Sequence, residues 1–408
     1  MYKLKNDSLD NKKKNTDDPI FINIKTQEIC KLDTPSIVNK NTYKIEKNSK
    51  KLTISLYKNN GDDFNCFFLK IKKEKDFNFI DSDKNEINEI LRRANDNIFE
   101  CILEKLKNYD HLKYGMTETK KNEIINHYLF KPHSEVVLTF LTLVFEYGWN
   151  KNLDEKNSGN NSQWPRKNDE KWNQNFFENG AKAIMFEFQL PNNEFTEAFF
   201  GKKGENNDEP YSFLKPQKNW SQFDAFYIDK ENNNYIFYEA KLTSDIDSKT
   251  TKYSMINQIQ RNLEAIYHFY KNLKSGNITT DKDKLKYIFI CPREYFECNA
   301  RYYAHFFDNN KKFKIGDFIR NFERIYLKTI LTNIENGDCE KLKTFHDEIN
   351  AFKDFLKDNL TIELKFWEDY LDLNNNSCVF KNEEGKITDE NKKYSEILYN
   401  RFKEAAYD

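Results

Sequence analysis

No two cysteines in this chain stand at C-x-x-C spacing: the seven, at positions 30, 66, 101, 291, 298, 339 and 378, are scattered and odd in number. That argues against a zinc ribbon and against a thioredoxin-like redox site. The six histidines form no H-E-x-x-H or other tight ligand set. His127 and His133 are close, but Tyr128, Leu129 and Phe130 between them point to local packing. There is no G-x-x-x-x-G-K-[ST] loop and no G-x-S-x-G elbow. An intrinsic ATPase and an α/β-hydrolase are therefore not expected, and no nucleotide cofactor is evident. No apolar run approaches a membrane span and no apolar leader opens the sequence, so the expectation is a cytoplasmic protein with reduced thiols and no membrane partner. Neither charge prevails, with 65 Lys plus Arg against 66 Asp plus Glu. A protein that coats nucleic acid indiscriminately is usually basic, which leaves only a local basic cleft for that role. Glycine, proline and alanine are scarce while Lys, Asn, Ile and Phe abound, the bias of an A+T-rich genome, so Lys and Asn enrichment carries no functional information.

What is present is length enough, at 408 residues, for two or more domains with ample buried core. Residues 1–18 are polar and rich in Lys, Asp and Asn, the composition of a flexible tail. Residues 19–150 read as an N-terminal α+β region that could bind DNA or a partner. It opens with strand-like pieces at Pro19–Ile24, Lys51–Tyr57 and Cys66–Ile71, and helices follow over 85–108 and 118–148. In the second helix Val136, Val137, Phe140, Leu141, Val144 and Phe145 form a broad apolar face suited to a core. A polar stretch at 150–168, with Gly159 and Pro165, reads as a linker or exposed loop. After Pro292 helical patterns dominate, near 295–307, 314–335, 340–358 and 391–406, giving a helical C-terminal extension over 296–408.

Between these regions lies the informative segment. Phe223-Asp224-Ala225-Phe226-Tyr227-Ile228 and Tyr235-Ile236-Phe237-Tyr238-Glu239-Ala240-Lys241 are aromatic and β-branched runs around the polar stretch Asp229–Asn234, the pattern of a hairpin. Side chains two apart in a strand share a face, so Tyr235, Phe237, Glu239 and Lys241 point together. Pairing the strands can bring Asp224, fifteen residues earlier, near Glu239. Two carboxylates and an ammonium at one end of a sheet suit a hard divalent cation that holds a phosphodiester and activates water. Taken alone, the same residues can also be a surface hairpin with a cross-strand ion pair. Acid-x-Lys recurs at Asp10, Glu118, Asp154, Asp169, Asp247, Glu363, Glu384 and Glu390. Of these, Thr361-Ile362-Glu363-Leu364-Lys365-Phe366-Trp367 also alternates like a strand, but no Asp-bearing hairpin strand precedes it.

From about Tyr253 the sequence reads as a helix with one apolar stripe of Ile256, Ile259, Leu263, Ile266, Tyr267 and Tyr270. Gln258 and Asn262 share one border of that stripe and Gln260 lies on the other. Lys286–Cys291, stopped by Pro292, then reads as a buried parallel strand. Upstream, Phe177, Ala181, Ile184 and Phe188 have helical spacing within Glu170–Phe188, although Gly180 weakens it.

Phe223-Asp224 followed by Glu239-Ala240-Lys241, with this β-β-α-β succession, resembles the PD-(D/E)XK nuclease superfamily over roughly residues 170–295. Phe223 stands where that family usually has proline. The resemblance implies an α/β fold with a restriction-endonuclease-like core, a central mixed sheet flanked by helices, over 169–295. It also implies Mg²⁺ as cofactor, with Mn²⁺ as substitute, held by Asp224 and Glu239, and Lys241 orienting the attacking water. Gln258 takes the place of the polar residue this family often carries on its crossover helix. Glu178 is the first choice for an upstream acidic metal ligand, with Glu187 competing. DNA is the implied substrate, in restriction or defence, and a homodimer is an open expectation. A catalytically inactive nuclease-like binding module and an RNA-cleaving enzyme of the same fold stay open beside it. Lys202, Lys203, Lys215, Lys218, Lys249, Lys252 and Arg261 flank the site as candidate phosphate contacts. Arg301-Tyr302-Tyr303 and Arg320 to Arg324 place cations beside aromatics, which suits base stacking or, more commonly, an amphipathic helix face.

Overall fold

Period-two alternation builds a first sheet from β1 (Ile20–Asn23), β2 (Ile29–Cys30), β3 (Pro35–Ile37), β4 (Tyr43–Lys47), β5 (Lys50–Asn59) and β6 (Phe68–Lys73). Along β5, Leu52, Ile54 and Leu56 are fully buried while Lys51 on the opposite face is exposed. Leu56 lies across from Leu69 and Ile54 across from Ile71 of β6, so one face is continuous core. The strand order is β2-β1-β6-β5-β3, with β4 also on β5 and every pair antiparallel. The structure is a computed structural model and describes residues 18–38, 42–59, 66–74, 77–107, 118–131, 134–147, 182–191, 220–229, 232–246, 257–276, 282–333, 339–374 and 386–407.

The chain divides into two compact units, Met1–Lys151 with Asn382–Glu404, and Asn152–Lys381 with Ala405–Asp408. In the first, α1 (Asp81–Ala94), α2 (Asn97–Lys107), α3 (Glu118–Phe130) and α4 (Glu135–Tyr147) follow the sheet. The single helix expected over 85–108 is two, because Asn95 and Asp96 cap instead of continuing it. Asn95 Nδ2 donates back to Leu91 O at 2.8 Å, and Asp96 Oδ1 accepts from the Phe99 N–H at 2.8 Å. The stretch 118–148 is likewise two helices, Glu118–Phe130 and Glu135–Tyr147, with a proline in the sequence between them. Val137, Phe140 and Leu141 of α4 are core, as its apolar face required. The last helix, Asp389–Tyr407, sends Arg401 into this unit. Its Nη2 donates to Asp96 Oδ2 at 3.1 Å and to the Tyr128 hydroxyl at 2.8 Å, with the guanidinium 4.3 Å over the Tyr128 ring.

The second unit is a mixed five-stranded sheet in the order β11-β10-β9-β8-β7, from β7 (Lys182–Pro191), β8 (Trp220–Asp229), β9 (Asn234–Ala240), β10 (Leu285–Cys291) and β11 (Thr361–Phe366). β7, β8 and β9 pair antiparallel, whereas β9, β10 and β11 run parallel. A parallel pair needs a crossover. α5 (Gln258–Ser275) supplies it between β9 and β10. Between β10 and β11 come α6 (Arg293–Glu297), a 3₁₀ turn at Tyr302–Phe306, α7 (Ile315–Asn333) and α8 (Cys339–Asp354), which runs into a π turn at Phe355–Asn359. α9 (Trp367–Leu371) follows β11 directly. Asn257 caps α5 by accepting from the Gln260 N–H at 2.9 Å, and Ile259, Leu263, Ile266 and Phe269 of that helix are buried. Phe226 is the centre of the packing, 4.6 Å from Phe188, 4.4 Å from Phe237 and edge-on to Phe269 at 5.8 Å.

Two expectations are corrected here. Lys182–Pro191 is strand, so the upstream helix cannot extend to Phe188: Phe186, Phe188 and Leu190 are buried at period two. Thr361–Phe366, inside the expected helical extension, is the edge strand of the sheet, in register with Lys286–Cys291. Glu178, the 1–17 stretch, His133, Tyr253, Ile256, the linker at 150–168 and Lys202, Lys203, Lys215, Lys218, Lys249 and Lys252 lie outside the described residues. Among the described residues no helix is long and apolar enough to cross a membrane.

Candidate functional site

The hairpin turn sets the register. Asp229 lies opposite Asn234, its carboxylate accepting from the backbone and side chain of Asn232, and Asn233 takes the left-handed φ of 52° that asparagine tolerates. Counting along the ladder, Phe226 faces Phe237 and Ala225 faces Tyr238, so the next position puts Asp224 against Glu239. The β8–β9 pairing ends at Ala225 and Tyr238, one position short of this. Asp224 Oδ2 accepts the Ala240 N–H at 2.7 Å, a side chain bonding the backbone just past the end of the ladder. The β7 register places Glu187 at the position facing Asp224 from the other side, between the Phe186–Ala225 and Phe188–Phe223 pairs.

Glu239 is 1% exposed, and both of its oxygens are engaged. Oε1 accepts from Lys241 Nζ at 2.5 Å and from Gln258 Nε2 at 2.6 Å, while Oε2 accepts from Asn262 Nδ2 at 2.9 Å. Lys241 shares the Glu239 face, two residues on, and also donates to Ala240 O at 3.0 Å. Its backbone is clamped by the parallel strands. The Lys241 N–H donates to Ile290 O at 2.8 Å, and Trp367 Nε1, at the start of α9, donates to Lys241 O at 2.9 Å. Gln258 and Asn262, one helical turn apart on α5, therefore reach the same carboxylate. Behind Asn262 the amide nitrogen stands 3.3 Å from the Tyr287 hydroxyl. Burial pushes that hydroxyl well above the ordinary tyrosine range, and the negative charges of Glu239 and then Asp224 push the same way.

Sequence reasoning noticed Asn262 as Gln258's neighbour on the helix border without giving it a role, and it missed Tyr287. For Asn262 the four-residue spacing was the available signal. Tyr287 carried none, since one hydroxyl in an apolar strand reads as packing. The rival Glu363-Leu364-Lys365 gathers no second acid among the described residues. Glu363 pairs with Lys286 and Lys365, each at 3.3 Å, and is about a quarter exposed. In the cation–aromatic sets Arg301 lies over the Tyr295 ring at 4.6 Å, Tyr303 and Phe322 are buried, Tyr302 is exposed, and Arg320 pairs with Asp317 on its own helix.

The donor set matches a hard divalent cation in kind, since two carboxylates and a carboxamide are oxygen ligands. Glu239 already draws one positive charge, the Lys241 ammonium, to Oε1. Among the described residues no cluster of three His, Cys, Asp or Glu side chains could hold a metal, so the protein ligands brought together are Asp224 and Glu239. Comparison of the chain with protein-family models, with curated proteins and with solved structures gave no match.

Proposed function

We propose that this chain is a metal-dependent nuclease that hydrolyses phosphodiester bonds in DNA, built on a restriction-endonuclease-like core and serving restriction or defence. One observation carries the reading. Asp224, Glu239, Lys241 and Gln258 come from two antiparallel strands and a crossover helix, yet they are linked around one buried carboxylate and the adjoining backbone. A structural ion pair needs neither the second acid nor the glutamine. When bound, Mg²⁺ or Mn²⁺ would supply Lewis acidity toward a phosphate oxygen and a water of lowered pKa.

Asp224 and Glu239 are the residues that would hold the ion. Lys241, held in place by Ile290 O and Trp367 Nε1, brings a positive charge to the same point. There it offsets the charge growing on the phosphorane-like oxygens and orients the attacking water. Gln258, itself half-buried, steadies Glu239 in one orientation. The low dielectric around Glu239 and Lys241 strengthens each of these interactions.

The test is a parallel assay of duplex DNA, single-stranded DNA and RNA, in Mg²⁺ and in EDTA, with wild type and Lys241→Ala. Cutting of DNA that EDTA and the substitution both abolish is the expected result. Cutting of RNA alone moves the substrate, and cutting of none of the three by folded protein moves the cluster to a binding role.

A further inference from the structure

We infer that Asn262, backed by Tyr287, pins one oxygen of Glu239 so that only the other is offered to a divalent cation, and that this favours magnesium over calcium. The inference rests on the metal-dependent reading of the site above.

The two oxygens of Glu239 are held in different ways. Oε2 is closed in by protein: Asn262 donates to it at 2.9 Å, Asn262 is 1% exposed, and Tyr287 behind it is fully buried. Oε1 faces the Lys241 ammonium at 2.5 Å and Gln258, a half-buried residue in the first turn of α5. Oε1 is therefore the side where the fold accommodates positive charge. A cation drawn to Oε1 beside the ammonium meets one oxygen, because turning the carboxylate to present both would break the Asn262 bond in a buried setting.

Ion size makes this consequential. Magnesium is bound at about 2.0–2.1 Å in a near-octahedral shell that suits single carboxylate oxygens, whereas calcium, at about 2.3–2.6 Å with more ligands, accepts a chelating carboxylate. Partners that orient a metal ligand commonly change metal affinity by about 10–100-fold. Freeing Oε2 should therefore weaken magnesium binding while sparing or improving calcium binding.

The experiment is calorimetric titration of Mg²⁺ and of Ca²⁺ into wild type, Asn262→Leu and Tyr287→Phe, with thermal unfolding of each preparation. A general loosening of the site lowers both affinities together, so their ratio is the informative quantity. We expect the magnesium-to-calcium affinity ratio to fall about tenfold or more in Asn262→Leu, and less but in the same direction in Tyr287→Phe. If Asn262→Leu does not fold, Tyr287→Phe, which removes a single oxygen, decides alone. An unchanged ratio in folded variants overturns the inference and leaves the nuclease reading standing. Failure of wild type to bind either ion overturns that reading and this inference with it.

Discussion

Replacing Glu239 by glutamine with Lys241 in place would leave an ammonium 7% exposed without its counter-charge. It would also set an amide N–H₂ against a donor that now finds a carboxylate oxygen, either Gln258 on one side or Asn262 on the other. Removing one member of a buried pair costs about 3–5 kcal/mol. In a unit of this size each kcal/mol lowers Tm by about 2–4 °C, so Glu239→Gln should unfold about 6–20 °C below wild type. Lys241→Met strands the carboxylate instead and should cost a similar amount, eased by the two amide donors that remain. The double variant Glu239→Gln with Lys241→Met removes both charges. It should recover to within about 1 kcal/mol of wild type, because a buried pair and an apolar substitute of similar volume are often equivalent. Urea unfolding and calorimetry of the four proteins give the coupling energy, expected at about 5 kcal/mol or more from these figures, above the about 0.5–3 kcal/mol usual for residues in contact. All three variants should fail to cut DNA, so the double variant would be stable and inactive. Single substitutions that each cost less than about 1 kcal/mol, the range of exposed ion pairs, would refute the buried-charge reasoning.

Glu363→Gln tests the rival tripeptide: its pairs with Lys286 and Lys365 are part-exposed, so stability should change by at most about 1 kcal/mol and cleavage should stay at the wild-type rate. In the first unit, Arg401→Met removes the counter-charge of Asp96, which keeps the Phe99 N–H and the Tyr128 hydroxyl as donors, and should cost about 1–3 kcal/mol in thermal unfolding. Alkali should destabilise the second unit. Burial and the neighbouring Asp229 charge raise Tyr227 to about 12, and burial raises Tyr287 in the same direction. The unfolded chain releases these protons near pH 10, about two units before folded Tyr227 does, so their contribution is intact below that pH and is lost as pH rises toward 12. Unfolding followed beside tyrosinate absorbance should show Tm falling across that window, and a flat Tm there would contradict it.

The sheet end was legible where local chemistry and tertiary structure agree. Phe223–Ile228 and Tyr235–Lys241 alternate around an Asn-rich turn, and the strands fall on those runs with Asp224 and Glu239 in facing register positions. Gln258 and Asn262 were visible as one helix border because a four-residue spacing survives into the folded helix. Lys182–Pro191 was misread because Phe177, Ala181, Ile184 and Phe188 fit a helical period, while Ile184, Phe186, Phe188 and Leu190 fit a strand period over the same text. Pairing with β8 selects the second. β11 escaped the domain reading for a different cause. Its six residues alternate locally, but only β10, some 70 residues earlier in the chain, gives them a sheet to join. The Tyr287 and Trp367 contacts were out of reach in the same way, since each joins segments far apart in sequence.

The most direct test of the account is the cleavage of supercoiled plasmid by wild type and Asp224→Asn in Mg²⁺ and in EDTA, with Tm measured on the same preparations. Asp224 is less buried than Glu239 and keeps an oxygen for the Ala240 N–H when changed to asparagine, so this variant should fold. The account requires wild-type cutting that EDTA abolishes and that Asp224→Asn loses by about two orders of magnitude or more at a near wild-type Tm, at or beyond the about 10–100-fold cost of losing a partner that only orients a metal ligand. Cutting by Asp224→Asn at the wild-type rate would contradict it.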